Sequence, residues 1–152
     1  MNKLGLIIIG VVALIALLLT KGDSLMPRGI RNKNPGNIED NGTKWRGRMG
    51  NDGRFIIFDK PEHGIRAIAR ILNTYQDKYG INTLEGIILR WAPPHENDTD
   101  SYIKHAEKEL KISRHTPIGA QHYESLIKVI IKHENGVQPY SDKVIQDGIA
   151  AA

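Results

Sequence analysis

The chain has 152 residues, no cysteine and a net charge of +4 at neutral pH. That length supports one domain with a short appendage and leaves no room for two hydrophobic cores. The missing cysteines exclude disulfides and thiolate metal sites, so the fold must rest on its core in any compartment. A mild positive balance suits an anionic partner, whether cell wall, lipid surface or nucleic acid.

The N-terminal stretch differs in kind from the rest. Leu4 to Thr20 is an uncharged run (LGLIIIGVVALIALLLT) between Lys3 and Lys21. At ~1.5 Å per residue a helix of this length reaches ~25 Å, close to the ~30 Å of a hydrocarbon core. Backbone polar groups in lipid must be satisfied within the segment, so the run predicts one transmembrane helix. No A-x-A site precedes Lys21, which favours an uncleaved anchor over a signal peptide. With one lysine on each side the orientation stays open. The chain thus divides into an anchor with the start of a linker, residues 1–23, and a domain over residues 24–152.

Residues 28–53 are rich in Asn and Gly and predict turns more than a packed helix. Lys44 to Met49 and Arg54 to Asp59 flank Gly50-Asn51-Asp52-Gly53 and predict a hairpin. Phe55 and Phe58 cannot both face inward on a regular strand, which predicts a bulge or twist there. From Pro61 the period becomes helical. Ile65, Ile68, Ile71, Leu72 and Tyr75 mark one face of a helix to about Lys78. Thr83 can cap a second helix carrying Leu84, Ile87, Ile88 and Trp91, stopped by Pro93-Pro94. A third starts at Asn97 to Thr99, with Tyr102, Ile103, Ala106 and Leu110 inward. A fourth runs from about Ile118 to Glu134 and ends at Gly136, and a short fifth follows Ser141. The expected fold class is α+β, mostly α: a helical domain with a small hairpin, preceded by the membrane helix.

Among residues able to do chemistry, Glu134 stands four after Ile130 and seven after Ile127, at the C-terminal end of an apolar stripe. Two readings follow. The acid can be solvated and idle on a last turn. Or it can sit at the core's edge, where lost solvation and the negative helix end raise its pKa. A carboxylic acid still protonated near neutrality is what protonates a departing glycosidic oxygen. Glu96 and Asp98 lie in the WAPPHENDT segment, where helix capping explains most of the polarity. Glu39 and Asp40 follow the NPGNI turn. The six histidines form no H-x-H or H-E-x-x-H pattern and no Walker-type or dinucleotide loop is present, so neither a metal nor an organic cofactor is expected. No G-x-S-x-G suggests a serine nucleophile. Lys21, Arg28, Arg31, Lys33, Lys44, Arg46 and Arg48 fall within 28 residues, with Trp45 among them. They fit a solvated basic loop beside an anionic membrane or wall better than a nucleic-acid groove.

Arg28-Gly-Ile-Arg-Asn-Lys-Asn-Pro-Gly-Asn-Ile38 resembles the R-G-I-R-N-x-N-P-G-N-I box of a family of phage virion-associated and prophage proteins. Further marks of that family follow in order: Trp45-x-Gly47, Phe55 to Phe58, Gly64-Ile-Arg-Ala67, Trp91-Ala-Pro-Pro94, Glu96 to Tyr102, His133-Glu-Asn-Gly136 and Pro139-Tyr140. The resemblance covers residues 27–149 and implies peptidoglycan cleavage on a lysozyme-like fold. IIKHENG is also similar to the helix end of lytic transglycosylases and goose-type lysozymes, with Glu134 in the place of the catalytic acid. Their N-P and E-T-R-x-Y-V elements resemble Asn34-Pro35 and Glu96 to Tyr102, in a circularly permuted order.

The resemblance implies a phage enzyme that cuts the MurNAc-GlcNAc bond of glycan strands. Glu134 is its acid, and Glu96 or Asp98 is the place to look if a second carboxylate is needed. Asn34, Asn37, Tyr102 and Tyr140 are candidate sugar contacts, since carbohydrate sites pair amide donors with aromatic faces. Turn formation for the asparagines and core packing for the tyrosines explain them as well. Expected partners are peptidoglycan, a virion or host inner membrane reached through residues 4–20, and virion or capsid proteins. A non-catalytic structural or wall-binding protein of a membrane-containing virion is the competing reading.

Overall fold

A computed structural model describes residues 25–152; the predicted membrane helix over Leu4–Thr20 lies outside the described residues. Among the described residues no helix is long and apolar enough to cross a membrane. The fold is mostly helical with one small antiparallel sheet. In chain order come α1 (Arg28–Arg31), β1 (Arg48–Asn51), β2 (Ile56–Phe58), α2 (Pro61–Tyr79), α3 (Leu84–Trp91) and α4 (Thr99–Leu110). A 3-10 turn (Ala120–His122) leads into α5 (Tyr123–Asn135), and α6 (Asp142–Ala150) follows.

The helices form where the periodicity predicts, except that a 3-10 turn takes the expected start near Ile118 and α5 begins only at Tyr123; their ends have identifiable stops. Thr83 caps α3 by accepting from the Gly86 amide, and Ser141 caps α6 by accepting from Val144. Asp98 caps α4 by accepting from Ser101. Gly80 and Gly136 end α2 and α5 in the left-handed conformation, at φ 65° and 73°. Helix α5 is central: it packs on α1, α2, α4 and α6, and its Leu126, Ile127, Ile130 and Ile131 are all but sealed from solvent. Ile65, Ile68 and Leu72 of α2 and Leu84, Ile87 and Ile88 of α3 complete the same core.

Three details differ from the sequence expectation. Within the Asn- and Gly-rich stretch, residues 28–31 form one helical turn. The hairpin turn is Asp52 to Phe55, two residues later than expected, because the Asp52 carboxylate organises it. That carboxylate accepts from the Arg54 and Phe55 amides (3.2 and 2.9 Å), from Asn32 (2.6 Å) and from Nε and Nη2 of one Arg28 guanidinium edge (2.6 and 2.7 Å). These donors hold its pKa well below the usual carboxylate range, the Arg28 bond most of all. The bulge falls on β1, where the register slips between Arg48 and Gly50. Strand β2 keeps a regular alternation, with Ile56 and Phe58 buried and Phe55 turned outward.

The segment after α1 is folded back by one buried side chain. Asn34 has no solvent exposure; its amide donates to the carbonyls of Ile38 and Ile56 (both 2.9 Å) and accepts from the Ile38 amide (3.0 Å). It therefore welds residues 34–38 to β2. Asn34→Ala strips one buried and two part-buried backbone groups of their partner, at a cost of about 2–4 kcal/mol. Urea denaturation of the variant should show that loss with an unchanged m-value. A loss under 1 kcal/mol would mean the weld is unimportant.

Candidate functional site

A cleft of about 380 Å³ opens where the 36–39 segment, the Asp52–Phe55 turn and the C-terminal ends of α3 and α5 meet. Gly36 forms part of its wall because nothing larger fits: a Cβ there would lie 2.8 Å from Ile68 Cγ1 and 3.2 Å from the Trp91 ring. Glu134, on the last turn of α5, lines this cleft and is half-buried.

Two side chains hold its carboxylate. Trp91 Nε1 donates to Oε1 at 3.1 Å. Asn37 Nδ2 donates to the Glu134 backbone carbonyl at 3.1 Å and makes a longer contact to Oε2 at 3.4 Å. Asn37 reaches across because its backbone is left-handed (φ 47°), a conformation asparagine tolerates better than most residues. Burial pushes the Glu134 carboxyl pKa above its ordinary value, and the Trp91 and Asn37 bonds only partly oppose that. The C-terminal end of α5 adds a negative field that also disfavours the carboxylate. The acid is thus fixed in direction while its charged form is under-solvated.

Behind it, Tyr102 is 4 % exposed with its hydroxyl buried and unpartnered. Burial, then the charge of Glu134, raises the Tyr102 pKa well above the usual phenol range. Its ring stacks on His133, centroids 3.8 Å apart and planes 9° apart, and His133 Nε2 meets His105 Nδ1 at 2.7 Å. Burial and the neighbouring His105 lower the His133 pKa, which favours a neutral ring beside the acid.

The sequence candidates separate clearly. Glu134, Asn37 and Glu96 share the cleft, and Tyr102 supports its rear. Glu96 is exposed, with His95 Nε2 3.2 Å from its carboxylate. Asn34 and Tyr140 do not line the cleft. Asn34 is committed to backbone groups, as above. Tyr140 packs on the core, and burial followed by the charge of Glu62 pushes its pKa up to about 12. Asp98 stays a helix cap outside the cleft, with its pKa lowered by the Ser101 bond. Asp40, bonded by Arg48 and Asn51 (2.6 Å each), has its pKa lowered to about 2 and is a structural anion. Among the described residues no group of three or more His, Asp or Glu side chains is arranged to hold a metal.

No protein-family profile matches the chain. Protein P5 of Pseudoalteromonas phage PM2 is 44% identical over 126 residues, covering 80% of this chain and 79% of that protein. The chain belongs to the family of this phage protein. Four cleft residues of this P5-family chain escaped the sequence reading as site residues: Trp91, Tyr75, Arg54 and Phe55. Trp91 and Tyr75 end apolar stripes and read as core. Arg54 and Phe55 read as strand, and nothing local marks them.

The elevated pKa of Glu134 has a consequence for stability. The folded state holds the proton more tightly than the unfolded state does. The corresponding stabilisation is complete below the ordinary value of 4.5 and is lost as pH rises through the higher folded value. Glu134→Gln, neutral at every pH, should therefore be more stable than the parent at pH 7. The gap should shrink towards zero near pH 3. Paired thermal melts at both pH values check this, and a gap that is absent at pH 7 would contradict it.

Proposed function

We propose that the chain is a membrane-tethered phage enzyme that cuts the MurNAc-GlcNAc bond of peptidoglycan on a lysozyme-like domain, in the manner of a lytic transglycosylase. The observation that carries this reading is the half-buried Glu134, oriented by Trp91 and Asn37 at the wall of an open cleft. Its raised pKa extends to higher pH the range over which it holds a proton for a leaving oxygen. Membership of a phage protein family supports the setting, and the uncharged run at Leu4–Thr20 supports the tether.

In this reading the Glu134 carboxylic acid protonates the glycosidic oxygen as the bond to the muramyl anomeric carbon breaks. The resulting carboxylate then takes the proton of the muramyl 6-hydroxyl while O6 attacks that carbon, which restores the acid and leaves a 1,6-anhydro end. One carboxyl serves both steps. An inverting hydrolase needs a second carboxylate at ~6.5–9.5 Å that activates water. The other cleft carboxylates are Glu39, bonded by Arg54 at 2.7 Å, and Glu96, out at the exposed lip. Neither is buried or oriented as Glu134 is, which favours the single-acid route. Trp91 and Tyr75 offer aromatic surface to sugar rings, and Asn37 and Asn97 offer amides.

The test uses the full chain in detergent with purified sacculi and mass spectrometry of the released products. Anhydro-muropeptides are expected, with a rate that falls as pH rises through the elevated Glu134 pKa. Glu134→Gln should lower that rate by at least ~10²-fold, the usual contribution of a positioned general acid. Glu96→Gln should stay within about threefold of the parent, since exposed groups away from the reacting atoms contribute little. Reducing ends together with a dead Glu96→Gln enzyme would replace this mechanism with an inverting one. Sacculi bound but left intact would replace it with the structural, wall-binding role.

A further inference from the structure

The cleft has an electrostatic imbalance. Three carboxylates line it, Glu39, Glu96 and Glu134, and Arg54 is the single cation among its described lining residues. Glycan strands built from N-acetylated sugars are neutral except at the muramyl unit. That unit carries a lactyl carboxylate, either free or extended into a stem peptide with carboxylates of its own. The exposed Glu39 and Glu96 would repel such a strand, and Arg54 is the one oriented cation that the described lining offers it.

Arg54 is built to be that cation. Its backbone is pinned on both sides: the amide donates to Asp52 Oδ1 (3.2 Å) and the carbonyl accepts from the Asp40 amide (2.9 Å). Its guanidinium lies over the Phe55 ring at 4.8 Å, while Arg28 covers the same ring at 4.6 Å and is itself locked by Asp52. The Nε edge and Nη2 face Glu39. No described residue partners Nη1, so a second edge of the fork remains for an incoming carboxylate. Both members of the Arg54–Glu39 pair are largely solvent-exposed, 62% and 59% by side chain, so a shift of the guanidinium towards a new partner costs little.

We propose that Arg54 is the substrate-selecting residue of the cleft, pairing with a carboxylate carried on the muramyl unit, so that the site takes anionic glycan strands and discriminates against neutral ones. This inference rests on the glycan-cleaving reading of the same cleft. Glu39 acts as the group that orients the guanidinium, and its own charge opposes the incoming anion.

Binding is the informative readout, measured with the full chain in detergent and carrying Glu134→Gln to stop turnover. The probes are peptide-bearing glycan strands, strands stripped of stems by an amidase, and stripped strands whose lactyl carboxylates are capped as methylamides. Adding Arg54→Gln should weaken binding about tenfold, the scale of one charge-assisted hydrogen bond, for strands that present the recognised carboxylate. It should leave the capped strands unaffected. A loss on stripped strands assigns the lactyl carboxylate, and a loss confined to peptide-bearing strands assigns the stem. Glu39→Gln should bind the recognised strands at least as tightly as its parent. An Arg54→Gln effect that is absent, or equal on capped strands, overturns the assignment while leaving the cleavage reading in place. No binding of any strand by the parent would remove both.

Discussion

Helix α5 has to satisfy two demands that conflict at its end. Its inner face must be apolar enough to sit at the centre of the core, and its last turn must carry an ionisable group into a cleft. Ile127, Ile130 and Ile131 meet the first demand, and Glu134 continues their face into the second. A carboxylate so placed loses water and faces the negative end of the helix, so it is held only if other donors reach it. Those donors come from far away in the chain: Trp91 from 43 residues before it and Asn37 from 97. Everything that shapes the cleft serves to bring these two side chains to the end of α5.

The N-terminal box does this mostly with its backbone. Asn34 binds residues 34–38 to β2, the Asn32 carbonyl accepts from the Phe58 amide at 3.0 Å, and Asn135 donates to the Pro35 carbonyl at 2.8 Å. Gly64 lets the first turn of α2 pass against the same segment, where a Cβ would lie 2.8 Å from Pro35 Cδ. Only Asn37 of the box turns its amide to the acid. The box, α3 and α5 are separated in sequence, and hydrogen bonds near Glu134 join all three. Among the described residues, the buried Asn37 and Asn135 carbonyl oxygens beside Gly29 have no donor.

The helices were legible because their signal is local. Ile65, Ile68 and Leu72, or Ile127 and Ile130, repeat at the helical period, and Thr83, Ser141 and Gly136 stop the chain by chemistry confined to one turn. The candidate acid was legible for the same reason, as the continuation of a stripe. The partners of Glu134 were not, since no periodicity links residue 37 or 91 to residue 134. The hairpin turn was misplaced by two residues because Gly50 and Gly53 look like the natural corner. The five donors on Asp52, two of them from Arg28, move the corner to Asp52–Phe55. That shift turns Phe55 outward and carries Arg54 to the cleft, so a long-range ion pair decided which residues line it. Asn34 shows the converse limit. Its residue type suited a sugar contact, and only its complete burial reveals where its hydrogen bonds go.

The central claim is that Glu134 is a directed acid whose burial raises its pKa above the ordinary glutamate value. Carbon-13 NMR of the full chain labelled at glutamate carboxyls, recorded across a pH series beside Glu134→Gln, tests it most directly. One resonance should titrate above the ordinary glutamate value of 4.5 and be missing from the variant. If the resonance lost in Glu134→Gln titrates at or below that value, burial does not outweigh the Trp91 and Asn37 bonds, and the acid is an ordinary surface carboxylate.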